Sequence, residues 1–168
     1  GRVLDAFDEH DLWKDTMLLV NTDHGLLMGE HDWWAKVVTP FFQEIAHIPF
    51  WAYDPRNPQA VNKKSNALAQ TIDLGPTILD YFDIPLTEDM QGKAIFDFVE
   101  DDKEIRKASL YGVMGGQVNV TDGQYVYMRA TTTEDNKPLY DYTLMPTHMK
   151  NRFSPRELQE WEKVEGFG

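Results

Sequence analysis

Thr16-Met17-Leu18-Leu19-Val20-Asn21-Thr22 runs straight into Asp23-His24-Gly25. A short apolar run without alternation is the pattern of a strand covered on both faces in a parallel sheet. The polar Asp23-His24-Gly25 then stands at its carboxyl end, where the loops of open α/β sheets gather around ligands. Upstream, Val3, Leu4, Phe7 and Leu12 recur at helical spacing among acids, which predicts an amphipathic helix ending near His10 to Asp11. Downstream, residues 25 to 47 form a long connection rich in Gly, Trp, Phe and His. Ile48 to Tyr53 follows as a second strand, closed by the turn Asp54-Pro55-Arg56-Asn57-Pro58.

A further helix is marked by Thr71 as N-cap, Asp73 in the first turn and Pro76 near the start; Ile72, Pro76, Leu79 and Phe82 share its face, and it stops before Pro85. Beyond the acidic patch Glu100-Asp101-Asp102 the pattern changes. Ser109 to Val113, Gln117 to Thr121 and Gln124 to Arg129 read as strands, with Asp122-Gly123 as a type I′ hairpin turn. Leu139 to Tyr142 reads as a fourth strand. Ser154-Pro155-Arg156-Glu157 has capping-box spacing and opens a helix through about Lys163. The expected organisation is therefore α/β: residues 1–100 as part of a parallel α/β sheet domain, and 101–168 as a small antiparallel-sheet subdomain with a terminal helix. Two strands do not make a stable parallel sheet, so the remaining strands are expected from sequence upstream of Gly1.

The chain has 168 residues, 42% hydrophobic and 12% aromatic, enough for one core. Its 16 Lys and Arg stand against 28 Asp and Glu, a formal charge of -12 that argues against nucleic acid as a partner. No apolar run approaches the roughly 20 residues needed to cross a bilayer. The absence of cysteine removes disulfides, thiolate nucleophiles and Cys-type zinc sites and leaves the compartment open.

Asp23 beside His24, relieved by Gly25, can offer oxygen and nitrogen ligands to one divalent cation. A hard ion such as Ca²⁺ or Mg²⁺ takes about six oxygen-rich ligands, so the rest of the shell must come from elsewhere. The plainer reading has Asp23 capping a turn and His24 as a loop residue. Lys36 could fold back to neutralise an anionic substrate or leaving group, or could be a solvated surface lysine. Trp33 and Trp34 read as anchors of the loop on the core or as a pocket wall, and His31 and His47 as hydrogen-bonded structural histidines.

The ordered series Thr22-Asp23-His24-Gly25, Gly29-Glu30-His31, Trp34-Ala35-Lys36, Glu44 to Phe50, Thr71 to Leu79 and Gln91-Gly92-Lys93 resembles the sulfatases of the alkaline phosphatase superfamily, in their carboxyl-terminal portion. The stretch from Tyr111 to Arg129 looks like that family's carboxyl-terminal antiparallel sheet. The resemblance implies that Asp23 and His24 ligate the active-site ion, Ca²⁺ first and Mg²⁺ or Mn²⁺ as alternatives, and that Lys36 contacts the sulfate oxygens. It also implies a hydrated formylglycine nucleophile in a Cys/Ser-x-Pro-x-Arg motif near the start of the protein. This chain has no Cys, no Ser-x-Pro-x-Arg and no early Asp-Asp pair; Ser154-Pro155-Arg156 lacks the intervening residue.

The expectation is thus a carboxyl-terminal piece of a sulfuric ester hydrolase acting on a sulfated small molecule or glycan, inert by itself. One alternative is a phosphonate monoester or phosphodiester hydrolase of the same superfamily, which His24 in the metal pair resembles. The other is a non-catalytic binding module, whose exposed sheet edge would invite self-association.

Overall fold

A computed structural model of the chain describes residues 1–36, 40–96, 104–113 and 115–134. All of them belong to one compact unit, Gly1–Glu134. The expected fourth strand at Leu139 to Tyr142 and the helix opening at Ser154 lie outside the described residues, as does the expected boundary at residue 100.

Helix α1, Arg2–Glu9, buries Phe7 and turns its acids outward. Asp11, with φ of 54°, ends it and starts a 3-10 turn over Leu12–Lys14. Trp13 from that turn lies between Phe7, at 4.6 Å, and Tyr53, at 4.9 Å and edge-on. The Tyr53 hydroxyl donates to the Trp13 carbonyl at 2.6 Å. This aromatic ladder holds α1 against strands β1, Leu18–Asn21, and β4, Phe50–Tyr53. The elements sit close to their expected places, but β1 pairs with β4 antiparallel, Leu18 opposite Tyr53 and Asn21 opposite Phe50, and no parallel pair occurs among the described residues. Val20 and its cross-strand partner Trp51 are exposed, so the continuous apolar run reflects a strand with one open face here.

Within the long connection lies a hairpin that two-residue strands hide from any periodicity argument: β2, Leu27–Met28, pairs with β3, Trp34–Ala35. Helix α2, Gln43–Ala46, follows and buries Ile45. The apolar core of the described residues is Phe7, Leu27, Ile45, Ile95, Phe96 and Ile105.

Helix α3, Leu74–Tyr81, is preceded by a 3-10 turn at Thr71–Asp73. Thr71 is not its cap. Gln70 caps the 3-10 turn, its backbone N–H donating to Asp73 Oδ2 at 2.7 Å, and Asp73 holds the N-cap position of α3. The buried stripe is Asp73, Pro76 and Thr77, while Ile72 and Phe82 of the expected apolar face are exposed. A wholly buried acid displaced them because Arg106, from the segment before the last sheet, meets it.

That sheet contains β5, Ser109–Gly112, β6, Val118–Thr121, and β7, Val126–Arg129, as an antiparallel meander. All three strands fall within the stretches read as strands, Ser109 to Val113, Gln117 to Thr121 and Gln124 to Arg129. The β6–β7 turn is not type I′: only Gly123, at φ 91°, has positive φ, and four residues link Thr121 to its partner Val126. The Asp122 carboxylate accepts the N–H groups of Gln124 and Tyr125 at 2.9 and 2.8 Å, so an Asp-capped loop replaces the two-residue turn. The sheet joins the first part of the chain across residue 100 through Arg106, through Asn119 Nδ2 donating to the Phe41 carbonyl at 2.9 Å, and through Gln70 Nε2 donating to the Leu110 carbonyl at 2.6 Å.

Candidate metal and sulfate site

Gly25 fixes the loop at the end of β1. Its N–H donates to the Ile45 carbonyl at 2.8 Å, and a side chain at this position would run into the Glu44 carbonyl. The loop backbone is thereby joined to α2, and Asp23-His24 is presented just before the join.

The Asp23 carboxylate accepts the His24 backbone N–H at Oδ1, 2.9 Å, and this bond, ahead of the adjacent imidazole, holds it below its ordinary pKa. His24 Nδ1 lies 2.8 Å from the Gly25 carbonyl oxygen. A carbonyl only accepts, so Nδ1 bears a proton. Nε2 stands 3.3 Å from Asp23 Oδ2. Thr22 steadies the pair, its hydroxyl lying 3.3 Å from both Asp23 Oδ1 and the His24 carbonyl. A ring nitrogen set by a second hydrogen bond to a backbone carbonyl, beside an ionised carboxylate, is the donor chemistry of a divalent-cation site. Asp23 and His24 fit such an ion as part of its shell; among the described residues no third His, Asp or Glu joins them in a cluster.

Lys36 is brought back by the β2–β3 hairpin. Ala35 pairs with Leu27, so Lys36 follows at the level of the segment just after His24-Gly25, and it is exposed. The hairpin achieves this with strained backbone: His31, Asp32 and Ala35 take φ of 55°, 60° and 65°, and Gly29 takes 116°. His31 is structural, as expected: its Nε2 lies 3.2 Å from Glu44 Oε1, and its ring stacks on Phe42 at 3.9 Å. His47 is exposed at the end of α2.

Sequence reasoning passed over two supports of this region. Thr22 gave no sign of its contacts with Asp23 and His24, and the Glu44 partner of His31 has no local signature because the two lie 13 positions apart.

The family described as N-sulphoglucosamine sulphohydrolase, C-terminal, matches residues 29–164. The chain belongs to this sulfatase family, in its carboxyl-terminal portion. It is similar to the arylsulfatase of Clostridium perfringens (strain 13 / Type A), 30% identical over 115 residues that make up 67% of this chain and 23% of the relative. It is also similar to the N-acetylglucosamine-6-O-sulfatase of Bacteroides thetaiotaomicron, 23% identical over 175 residues that make up 97% of this chain and 31% of the relative. In the fold it matches a solved structure described as a complex with its substrate D-glucosamine-2-N,6-O-disulfate, with a TM-score of 0.60 and 20% identity over 80% of this chain and 29% of that one. The small antiparallel sheets and few helices are therefore those of the carboxyl-terminal part of an alkaline-phosphatase-like fold. The chain spans about a quarter to a third of the length of these relatives. The family match takes in Lys36 and begins just downstream of His24.

Proposed function

We propose that this sulfatase-family chain is the carboxyl-terminal part of a metal-dependent sulfuric ester hydrolase. In this reading Asp23 and His24 supply part of the shell of a divalent cation, Ca²⁺ ahead of Mg²⁺ or Mn²⁺, and Lys36 offsets the charge of the sulfate. The observation that supports the metal assignment is the His24 ring, whose Nδ1–H is engaged by the Gly25 carbonyl while Nε2 stands 3.3 Å from Asp23 Oδ2. The cation, when bound, would polarise the ester and ease ionisation of the nucleophile. Asp23 binds as a carboxylate, His24 as a neutral imidazole, and Lys36 lends a compact positive charge on a flexible stem, suited to an anion whose charge grows on the leaving oxygen.

The relatives act on sulfated sugars or aryl sulfates by their names, and a sulfated glucosamine-type ring is the substrate class carried over here as a proposal. Nothing in the chain provides the nucleophile, so turnover belongs to the protein that contains this chain together with the residues supplying it. The test is phenol release by that intact protein from paired aryl sulfate and aryl phosphate diester substrates, with and without a chelator. Preference for the sulfate ester, abolished by the chelator and restored by Ca²⁺, is the expected result. Preference for the diester would move the assignment to the phosphorus-ester branch, and metal-independent turnover would remove Asp23 and His24 from the site.

A further inference from the structure

The hairpin that returns Lys36 also holds two indoles in solvent. Trp34 is 71% exposed and Trp33 47%, yet neither is loose. The Trp34 ring lies alongside Gly29, where a methyl group placed on the glycine would meet ring atom Cζ2 at 3.7 Å and Cε2 at 3.9 Å. Gly29 N–H donates to the Trp33 carbonyl at 3.0 Å, Glu30 takes the Met28 N–H in its carboxylate, and His31 is tied to Glu44 and stacked on Phe42. Three non-glycine residues within this short span, His31, Asp32 and Ala35, sit at positive φ. Strain of this kind persists where surrounding structure overrides it, and it concentrates at sites that bind or react. An indole pinned along Gly29 and open on its other side is a flat apolar platform at a set position.

Its neighbours say what would rest on it. Lys36, two residues on and just past the end of β3, supplies an exposed cation; Glu30 and Asp32, in the turn, supply exposed carboxylates that accept hydrogen bonds. A pyranose bearing a sulfate matches all three, with an apolar C–H face for the indole, hydroxyl donors for the carboxylates and an anion for the lysine. An aryl sulfate would use the indole and the lysine and leave the carboxylates idle. We infer that Trp34 is a specificity-determining residue that stacks on the sugar ring of a sulfated pyranoside, with Asp32 taking its hydroxyls. The inference rests on the sulfate-ester reading of the same site and goes beyond it in naming the platform.

The test is equilibrium binding of N-acetylglucosamine 6-sulfate to the intact protein, read by calorimetry so that it does not depend on turnover, alongside KM and kcat for the same compound. Trp34→Leu, which keeps an apolar side chain and loses the flat ring, should weaken binding and raise KM by roughly tenfold with kcat retained, the scale of one aromatic contact. Trp34→Phe should restore most of it, and Trp51→Ala, at an exposed tryptophan on β4, should change neither. Binding unaltered by Trp34→Leu would overturn the inference. So would a large fall in melting temperature in that variant, because it would place the indole beneath another part of the protein, or a greater loss for 4-nitrophenyl sulfate than for the sugar. Sugar binding that depends on Trp34 in a protein without sulfate-ester turnover would leave the platform standing and remove the hydrolase reading.

Discussion

Asp23 and His24 differ from an ordinary acid and imidazole only through their immediate neighbours. The His24 N–H lowers the Asp23 pKa, and the Gly25 carbonyl engages the Nδ1 proton of His24. Asp23 is exposed and makes no long-range contact, so Asp23→Ala should abolish metal-dependent sulfate release in the intact protein while leaving the melting temperature nearly unchanged; near wild-type turnover at limiting metal would refute the ligand role. Asp73 is the opposite case. Burial pushes its carboxyl up, and the Arg106 guanidinium with the Gln70 and Lys93 N–H groups more than offsets this, leaving it below its ordinary value. A carboxyl lowered on folding stabilises above its unfolded pKa and loses that contribution as pH falls through the folded value. Acid unfolding of wild type below about pH 4 should therefore include a component absent from Asp73→Asn. Arg106→Met, which leaves a buried carboxylate alone, should cost about 3–5 kcal/mol in denaturant melts. Neither partner announced itself in the sequence: Asp73 reads as a first-turn acid suited to the helix dipole, and the partner that makes it a buried ion pair lies 33 residues away.

At the scale of elements, legibility followed the length and regularity of the pattern. The strand-like stretches on either side of Asp122-Gly123 and before Gly115 contained β5, β6 and β7, and the helical spacing of Val3, Leu4 and Phe7 located α1. The same reasoning failed for β2 and β3, where two residues cannot show a period, and for the partner of β1, because an apolar run signals burial and not direction of pairing. The β6–β7 turn went astray because Asp122 spends its carboxylate on two N–H groups instead of adopting positive φ. Removing that acceptor in Asp122→Ala should lower the melting temperature slightly, with no effect on substrate turnover. Gly25 is the element-level hinge of the site. Gly25→Ala must push the loop away from α2, with a stability loss of about 1–3 kcal/mol. It should also raise the metal concentration needed for activity, because Asp23 and His24 move with the backbone; normal metal dependence in a stably folded variant would contradict that coupling.

At the scale of the molecule, many apolar side chains of the described residues stand in solvent, among them Val20, Trp51, Ile72, Phe82 and Tyr127, beside six that are buried. The chain accounts for about a quarter to a third of its relatives' length, and its two candidate ligands are a fraction of what a hard ion takes. Ca²⁺ should accordingly raise the melting temperature of the intact protein and leave that of residues 1–168 by themselves unchanged. The sequence made the family and the order of its motifs visible, since these are local. The joining of the carboxyl-terminal sheet to the site region, through Asn119 and Phe41, 78 residues apart, had no local trace. The most direct measurement is sulfate release from an aryl sulfate by the intact protein, wild type against Lys36→Ala, at saturating Ca²⁺. The account predicts turnover in the wild type and a loss of at least about a hundredfold in kcat/KM without Lys36, the scale of removing one preorganised charge from a developing anion. Undiminished sulfate release by Lys36→Ala, or none from the wild type, would contradict it.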